Sequence, residues 1–240
     1  MIVDARYDDR ECRVEGGRGV WHMSSSTKAN TDGKRFGMGA ALLQLAAMLA
    51  IAFIVNALFG PRPLRAVASD GRSLVWQFSA GIVLAIAFSV PALIAILKLD
   101  FFLSFKTLLL ALTQRVNLNG WRPLGFGLCA GIGEELLFRG AIQPLLGIWW
   151  TGLLFALAHY GTGGFKSMSF MKWGYAAFLY LTSLMLGLVL TQIGLIAAVV
   201  LHSVADAVIF FVLRGVARAS NGPDLGGSSS VPEGSVSGGQ

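Results

Sequence analysis

Hydrophobic residues make up 55% of this 240-residue chain and charged residues only 13%, roughly half the charged share of a soluble domain. That balance excludes a water-soluble enzyme and marks an integral membrane protein. The net charge of +6 is no sign of nucleic-acid binding, because Lys and Arg fall in short segments between apolar runs, where membrane topology accounts for them.

Residues 1–38 mix Asp, Glu, Arg, Gly and Ser with little apolar periodicity, so they cannot bury enough surface to offset ordering entropy. A disordered N-terminal tail is expected, without the apolar core of a secretory signal peptide. The run Trp21-His22-Met23-Ser24-Ser25-Ser26 raises Met23 as an alternative first residue. Gly39 to Phe59 is interrupted only by Gln44 and Asn56 and is long enough, at about 1.5 Å per residue, to cross a hydrocarbon core of about 30 Å. Gly60-Pro61-Arg62-Pro63 ends this first span. Leu74 to Leu97 forms a second, with a kink expected at Pro91. Phe101 to Leu112, flanked by Lys98, Asp100 and Lys106, is too short to span and is expected to lie along the interface. Residues 39–122 thus hold two spans and an interfacial helix.

Trp121-Arg122-Pro123 reads as an interfacial anchor and helix start, and the third span is expected to turn at Gly147-Ile148-Trp149-Trp150. A short fourth helix from about Trp149 to Tyr160 is closed by Gly161-Thr162-Gly163-Gly164. After a loop with Lys166 and Lys172, a fifth helix runs from Tyr175 to Leu190. Thr191-Gln192-Ile193-Gly194 turns the chain into a sixth, Leu195 to Leu213. Residues 214–240, dominated by Ser, Gly and Pro, are expected to form a disordered C-terminal tail. The fold class is all-α, a polytopic membrane bundle of about six transmembrane helices with residues 123–213 as its core. Both tails then share one side. That side gathers most of the Lys and Arg, including Lys34, Lys98, Arg122, Lys172 and Arg214, against Arg62, Arg65 and Arg72 opposite, which places both termini in the cytoplasm.

Within the third span, Glu134, Glu135 and Arg139 interrupt an apolar run. Each charge at a bilayer centre costs roughly 2.5 to 3.5 kcal/mol on insertion scales, so such residues must be paired, neutralised or facing water. Glu135 and Arg139 are four apart, the favourable ion-pair order, while Glu134 sits about 100° further round the helix. Arg139 can therefore neutralise Glu135 and leave Glu134 free. All three could equally form a structural salt-bridge cluster between helices.

His159 follows Phe155 by four residues near the end of the short fourth helix, and His202 and Asp206 lie one turn apart on the sixth. Taken singly, each reads as a structural residue or a local pair. Their depths argue otherwise. Counted from the turn at Gly147, Glu134 and His159 both lie roughly 18 to 20 Å in, and His202 lies roughly 14 Å from Ile193. Independent pairs have no reason to share a level. A carboxylate and an imidazole converging in a partly buried cavity suit one task, taking a proton from water and returning it to a leaving group. A second His and an Asp beside them could orient a carbonyl or stabilise its oxyanion. The implied reaction is amide hydrolysis within the membrane.

Glu134-Glu135-x-x-x-Arg139, Phe155-x-x-x-His159 and His202-x-x-x-Asp206, in that order on successive apolar helices, resemble the three motifs of the CAAX-protease and bacteriocin-processing (CPBP, Abi) intramembrane peptidases, the family of the Ras-converting CAAX endopeptidase. The resemblance covers about Pro123 to Leu213. It implies that Glu134 and His159 activate the water, that Glu135 and Arg139 support the site, and that His202 with Asp206 forms the oxyanion-binding side. An ionised Asp206 would repel an oxyanion, so it is expected either to be protonated or to act by orienting His202. The implied partner is a membrane-embedded or membrane-anchored protein or peptide in the lipid bilayer.

Glu134, His159 and His202 could instead bind Zn²⁺ with an open fourth position. No cofactor is favoured, because no His-x-x-x-His or His-Glu-x-x-His pair preorganises zinc on one helix. Cys12 and Cys129 suggest neither a disulfide nor a metal site. The competing readings are a proton-coupled transporter or channel, in which intramembrane Glu, Arg and His form a relay, and a non-catalytic scaffold on the same fold.

Overall fold

The computed structural model describes residues 36–70, 72–98, 116–162 and 170–220. They form α1 (Met38–Phe59), α2 (Leu64–Ser69), α3 (Leu74–Lys98), α4 (Arg122–Glu135), a π-helical segment (Leu136–Ile142), α5 (Gln143–Thr162), α6 (Phe170–Gln192) and α7 (Leu195–Ser220). Among the described residues the only extended pairing is an isolated bridge between Phe36 and Val116. The expected interfacial helix Phe101–Leu112 lies outside the described residues, as do residues 1–35, the 163–169 loop and residues 221–240.

Five segments are long and apolar enough to cross a membrane, against about six expected: Met38–Phe59, Leu74–Lys98, Arg122–His159, Trp173–Gln192 and Leu195–Val216. The third is not straight. Gly147, with φ 75° and ψ 173°, takes a backbone shape essentially reserved for glycine, and the helix breaks there, at the turn the sequence predicts. Beyond the break the chain doubles back along α6, so that a side chain at Gly187 would meet Ile148 and one at Gly152 would meet Tyr180 and Leu184. This returning piece is roughly 22 Å long, shorter than a full crossing, and it lies within the third segment, so five candidates stand where about six helices were expected.

Large apolar side chains such as Leu43, Leu58, Val75, Val83 and Leu181 are exposed along the helices, while Glu134, Glu135, Arg139 and Gln77 are buried. That arrangement suits a lipid surround, in which the apolar face needs no cover and polar groups must find partners inside. Two contacts set the helix spacing around α7. A Cβ on Gly127 or Gly131 of α4 would run into Ser203 and Ala207 of α7, and one on Gly81 of α3 into Val200 and the carbonyl of Ala197. Small residues thus let three helix backbones approach closely.

One end of the bundle is tied by Gln77. Its Oε1 accepts the Ile196 N–H at 3.0 Å, and its Nε2 donates to the carbonyls of Asp70 and Arg72 at 3.1 and 2.7 Å. A side chain from α3 therefore caps α7, and Gly194 (φ 137°) leaves room for it. On the loop outside, Arg62 donates to Asp70 and holds that carboxyl below its usual range.

At the other end Phe36, Phe126 and Phe210 pack together. Here α7 continues to Ser220, past the expected end at Leu213, because Arg214 Nη1 donates to the carbonyls of Leu118 and Gly120 at 3.1 and 2.8 Å and Arg218 Nη2 to Asn119 Oδ1 at 3.3 Å. Cations in the last turns also suit the helix dipole. The start of α1 and the end of α7 meet at this end. Phe36, placed by the sequence in the disordered tail, is ordered here, and the six-residue α2 has no counterpart among the predicted elements.

Candidate active site

Glu134 and Glu135 are the last residues of α4, where the helix widens into the π segment. Such segments add a residue to the turn and recur at functional sites. Arg139, inside the π segment, has no exposed surface, so its charge must be met within the bundle. Its Nε lies 3.2 Å from Glu135 Oε2, the i,i+4 pair that the spacing predicts. Its Nη2 crosses to α6 and donates to Ser183 Oγ at 2.9 Å and to the Ser183 carbonyl at 3.2 Å. The guanidinium also stacks over Phe155, 4.7 Å from the ring centroid, which covers its face with π density.

Glu135 is engaged at both oxygens. Oε2 faces Arg139, and Oε1 accepts the Nδ1–H of His202 at 2.7 Å, a separation typical of a charge-assisted bond. The close approach of α4 and α7 at Gly131 and Ser203 brings His202 within reach. Glu135 therefore orients an imidazole and is itself held by a cation.

Glu134 is placed differently. Its Oε2 is buried and has no direct hydrogen bond among the described residues, yet it lies 3.4 Å from His159 Nε2 and 3.7 Å from His202 Nε2. These separations exceed an ordinary N–H···O bond. His159 donates its Nδ1–H to the Phe155 carbonyl at 2.9 Å, so in the neutral ring Nε2 carries the lone pair and points at Glu134. Asp206 completes the group, with Oδ2 3.6 Å from His202 Nε2. Phe155 forms the wall behind both imidazoles, its ring centroid 4.3 Å from that of His159 and 6.3 Å from that of His202.

The three groups that the sequence sets at a common depth therefore meet, from α4, the returning part of α5 and α7. Glu134, Glu135, Arg139, His159, His202 and Asp206 all fall in this one cluster. Ser183 and the packing role of Gly127 and Gly131 were not anticipated. The Gly127-x-x-x-Gly131 spacing opposite Ser203-x-x-x-Ala207 was a readable sign of close helix approach, whereas Ser183 carries no local signature. The three residues named for the zinc alternative, Glu134, His159 and His202, are the same ones that converge here. The arrangement presents a buried carboxylate flanked by two nitrogen bases, with a second carboxylate and a cation fixing one of them.

Residues 117–208 match the family model described as Rce1-like, type II CAAX prenyl endopeptidase. The match begins just before α4 and ends just past Asp206, so it takes in the whole buried cluster. No curated protein and no solved structure matches the chain. The segment that folds around Glu134, His159 and His202 is thus similar to the Rce1-like CAAX prenyl endopeptidases.

Proposed function

We propose that the chain is an intramembrane endopeptidase in which Glu134 and His159 activate a water molecule against a peptide bond of a membrane-anchored or membrane-embedded substrate. The observation that carries this reading is the approach of Glu134 Oε2 to two imidazole nitrogens from separate helices, at 3.4 and 3.7 Å. A water at the apex between Glu134 and His159 would be hydrogen-bonded by both. As its oxygen attacks the scissile carbonyl carbon, its proton passes to the Glu134 carboxylate, and the same proton is returned to the leaving amine when the C–N bond breaks. His159 holds the water in line through Nε2.

The carbonyl oxygen becomes an oxyanion on the side of His202 and Asp206. At rest the Nδ1–H of His202 is committed to Glu135; as the oxyanion forms, Nε2 becomes a second donor by taking a proton from Asp206, whose Oδ2 lies 3.6 Å away, and the proton returns when the tetrahedral intermediate collapses. Asp206 in this scheme acts through His202 rather than by touching the oxyanion, which answers the objection that two negative charges would repel. Glu135 and Arg139 serve as its support. Substrates fitting the family description are prenylated C-terminal tails, which are presented on the cytoplasmic side, the side to which the Lys and Arg distribution assigns the start of α1 and the end of α7.

The test uses purified protein in lipid nanodiscs and an internally quenched farnesylated CAAX peptide. Glu134→Gln is expected to lower turnover by about 10²–10⁴-fold while the protein keeps its unfolding temperature. Activity that survives exhaustive chelation supports the metal-free route, and loss of activity restored by zinc overturns it. Ion flux in liposomes without cleavage would instead favour a transporter, no cleavage with a cellular phenotype that Glu134→Gln leaves unchanged a scaffold, and unchanged turnover in Glu134→Gln would overturn the role of Glu134.

A further inference from the structure

We propose that Ser183 of α6 is a positioning residue for this hydrolysis, acting through Arg139 and Glu135 to fix the orientation and tautomer of His202. The proposal rests on the peptidase reading of the site and brings α6 into it. The links are consecutive and all buried. Ser183 Oγ and the Ser183 carbonyl accept from Arg139 Nη2 at 2.9 and 3.2 Å, Arg139 Nε faces Glu135 Oε2 at 3.2 Å, and Glu135 Oε1 accepts from His202 Nδ1 at 2.7 Å.

The geometry gives Ser183 leverage. Neither Nε nor Nη1 of Arg139 makes a hydrogen bond among the described residues, so the plane of the guanidinium is set by the bonds to Ser183, the ion pair with Glu135 and the Phe155 ring beneath. Without the Ser183 hydroxyl one edge loses its shorter acceptor, and the guanidinium can swing about the Nε contact. Glu135 then loses its fixed counter-charge, and the carboxylate that dictates which His202 nitrogen carries the proton is no longer held in one place. Partners one step removed from a reactive imidazole commonly matter by 10–100-fold. Ser183 reaches His202 through the ion pair.

The experiment compares wild-type, Ser183→Ala and Ser183→Thr proteins, full length in nanodiscs, by three readouts: cleavage of the farnesylated peptide, thermal unfolding, and ¹⁵N spectra of histidine-labelled protein. The chain has 3 His, and a His22→Gln background leaves the two imidazoles of the site. Ser183→Ala is expected to lower kcat by about 10–100-fold with KM little changed, and to turn a single Nδ1–H tautomer of His202 into a mixture while the His159 signals stay put. Ser183→Thr, which keeps the hydroxyl, restores both. A wild-type kcat and an unaltered His202 spectrum in Ser183→Ala overturn the proposal, as does equal impairment of Ala and Thr variants with lowered unfolding temperatures, which would make Ser183 a packing residue only. If no form cleaves the peptide but His202 still changes in Ser183→Ala, the relay stands and the peptidase reading falls. Cleavage with an indifferent His202 gives the reverse.

Discussion

Arg139 heads the fully buried side chains of the bundle by volume, and a guanidinium so enclosed is tolerable only because a carboxylate, a hydroxyl and an aromatic face surround it. Removing one member of such a pair leaves an uncompensated buried charge. Arg139→Leu is therefore expected to destabilise the protein by about 3–5 kcal/mol, read by unfolding in mixed micelles. The double change Arg139→Leu with Glu135→Leu should regain much of that stability, since neither charge then needs a partner, yet stay inactive because His202 has lost its acceptor. Recovery of turnover by the double variant would show that the pair has no part in the chemistry. The Glu135–Arg139 pair was legible in the sequence because both residues sit on one helix at a spacing that geometry alone decides. Ser183 was not, since it is 44 residues from Arg139 and a serine inside an apolar helix gives no hint of which neighbour it will meet.

Among the elements, the contact of α4 with α7 decides whether the site exists. A Cβ at Gly131 would collide with the backbone N–H and hydroxyl of Ser203, one residue from His202, whereas a Cβ at Gly133 would meet only flexible side-chain atoms of Met48 and Leu45, at 3.2 to 3.4 Å. Gly131→Val is expected to force the helices apart, at an overpacking cost of about 1–3 kcal/mol, and to abolish cleavage. Gly133→Ala should leave both nearly unchanged. Equal effects of the two on turnover would show that helix spacing does not govern the site. The π segment that follows was hidden from sequence reasoning, because apolar periodicity over Leu136–Ile142 reads the same in either helix type. The break at Gly147 was visible through the glycine beside two tryptophans. A criterion of length and apolarity passes over it, since nothing in hydropathy registers a positive φ.

For the whole molecule, the ends of the bundle differ in charge. Among the described residues, Lys98, Arg122, Arg214 and Arg218 lie where α1 begins and α7 ends, with no carboxylate beside them, while Arg62, Arg65, Arg72 and Asp70 occupy the opposite loops. Exposed Trp76, Trp149 and Trp150 ring the loop end, and Trp121 and Trp173 the other, as interfacial anchors do. A Cys placed at Arg218 is expected to react with a membrane-impermeant maleimide only from the cytoplasmic side, and one at Arg65 only from outside, in intact cells carrying Cys12→Ser. Labelling of both from one side would refute the six-pass arrangement. The order of the long helices was legible because long apolar runs leave little choice in a bilayer. The true end of α7 was not, because Arg214 is held by carbonyls more than ninety residues earlier in the chain.

The side chains of His159 and Asp206 are 28% and 30% exposed, that of Glu134 only 7%. The imidazole and the aspartate thus form the outer rim of the cluster, and the glutamate lies behind them. Small reagents that bind imidazole should therefore stop the reaction at the doorway, with the innermost carboxylate still untouched.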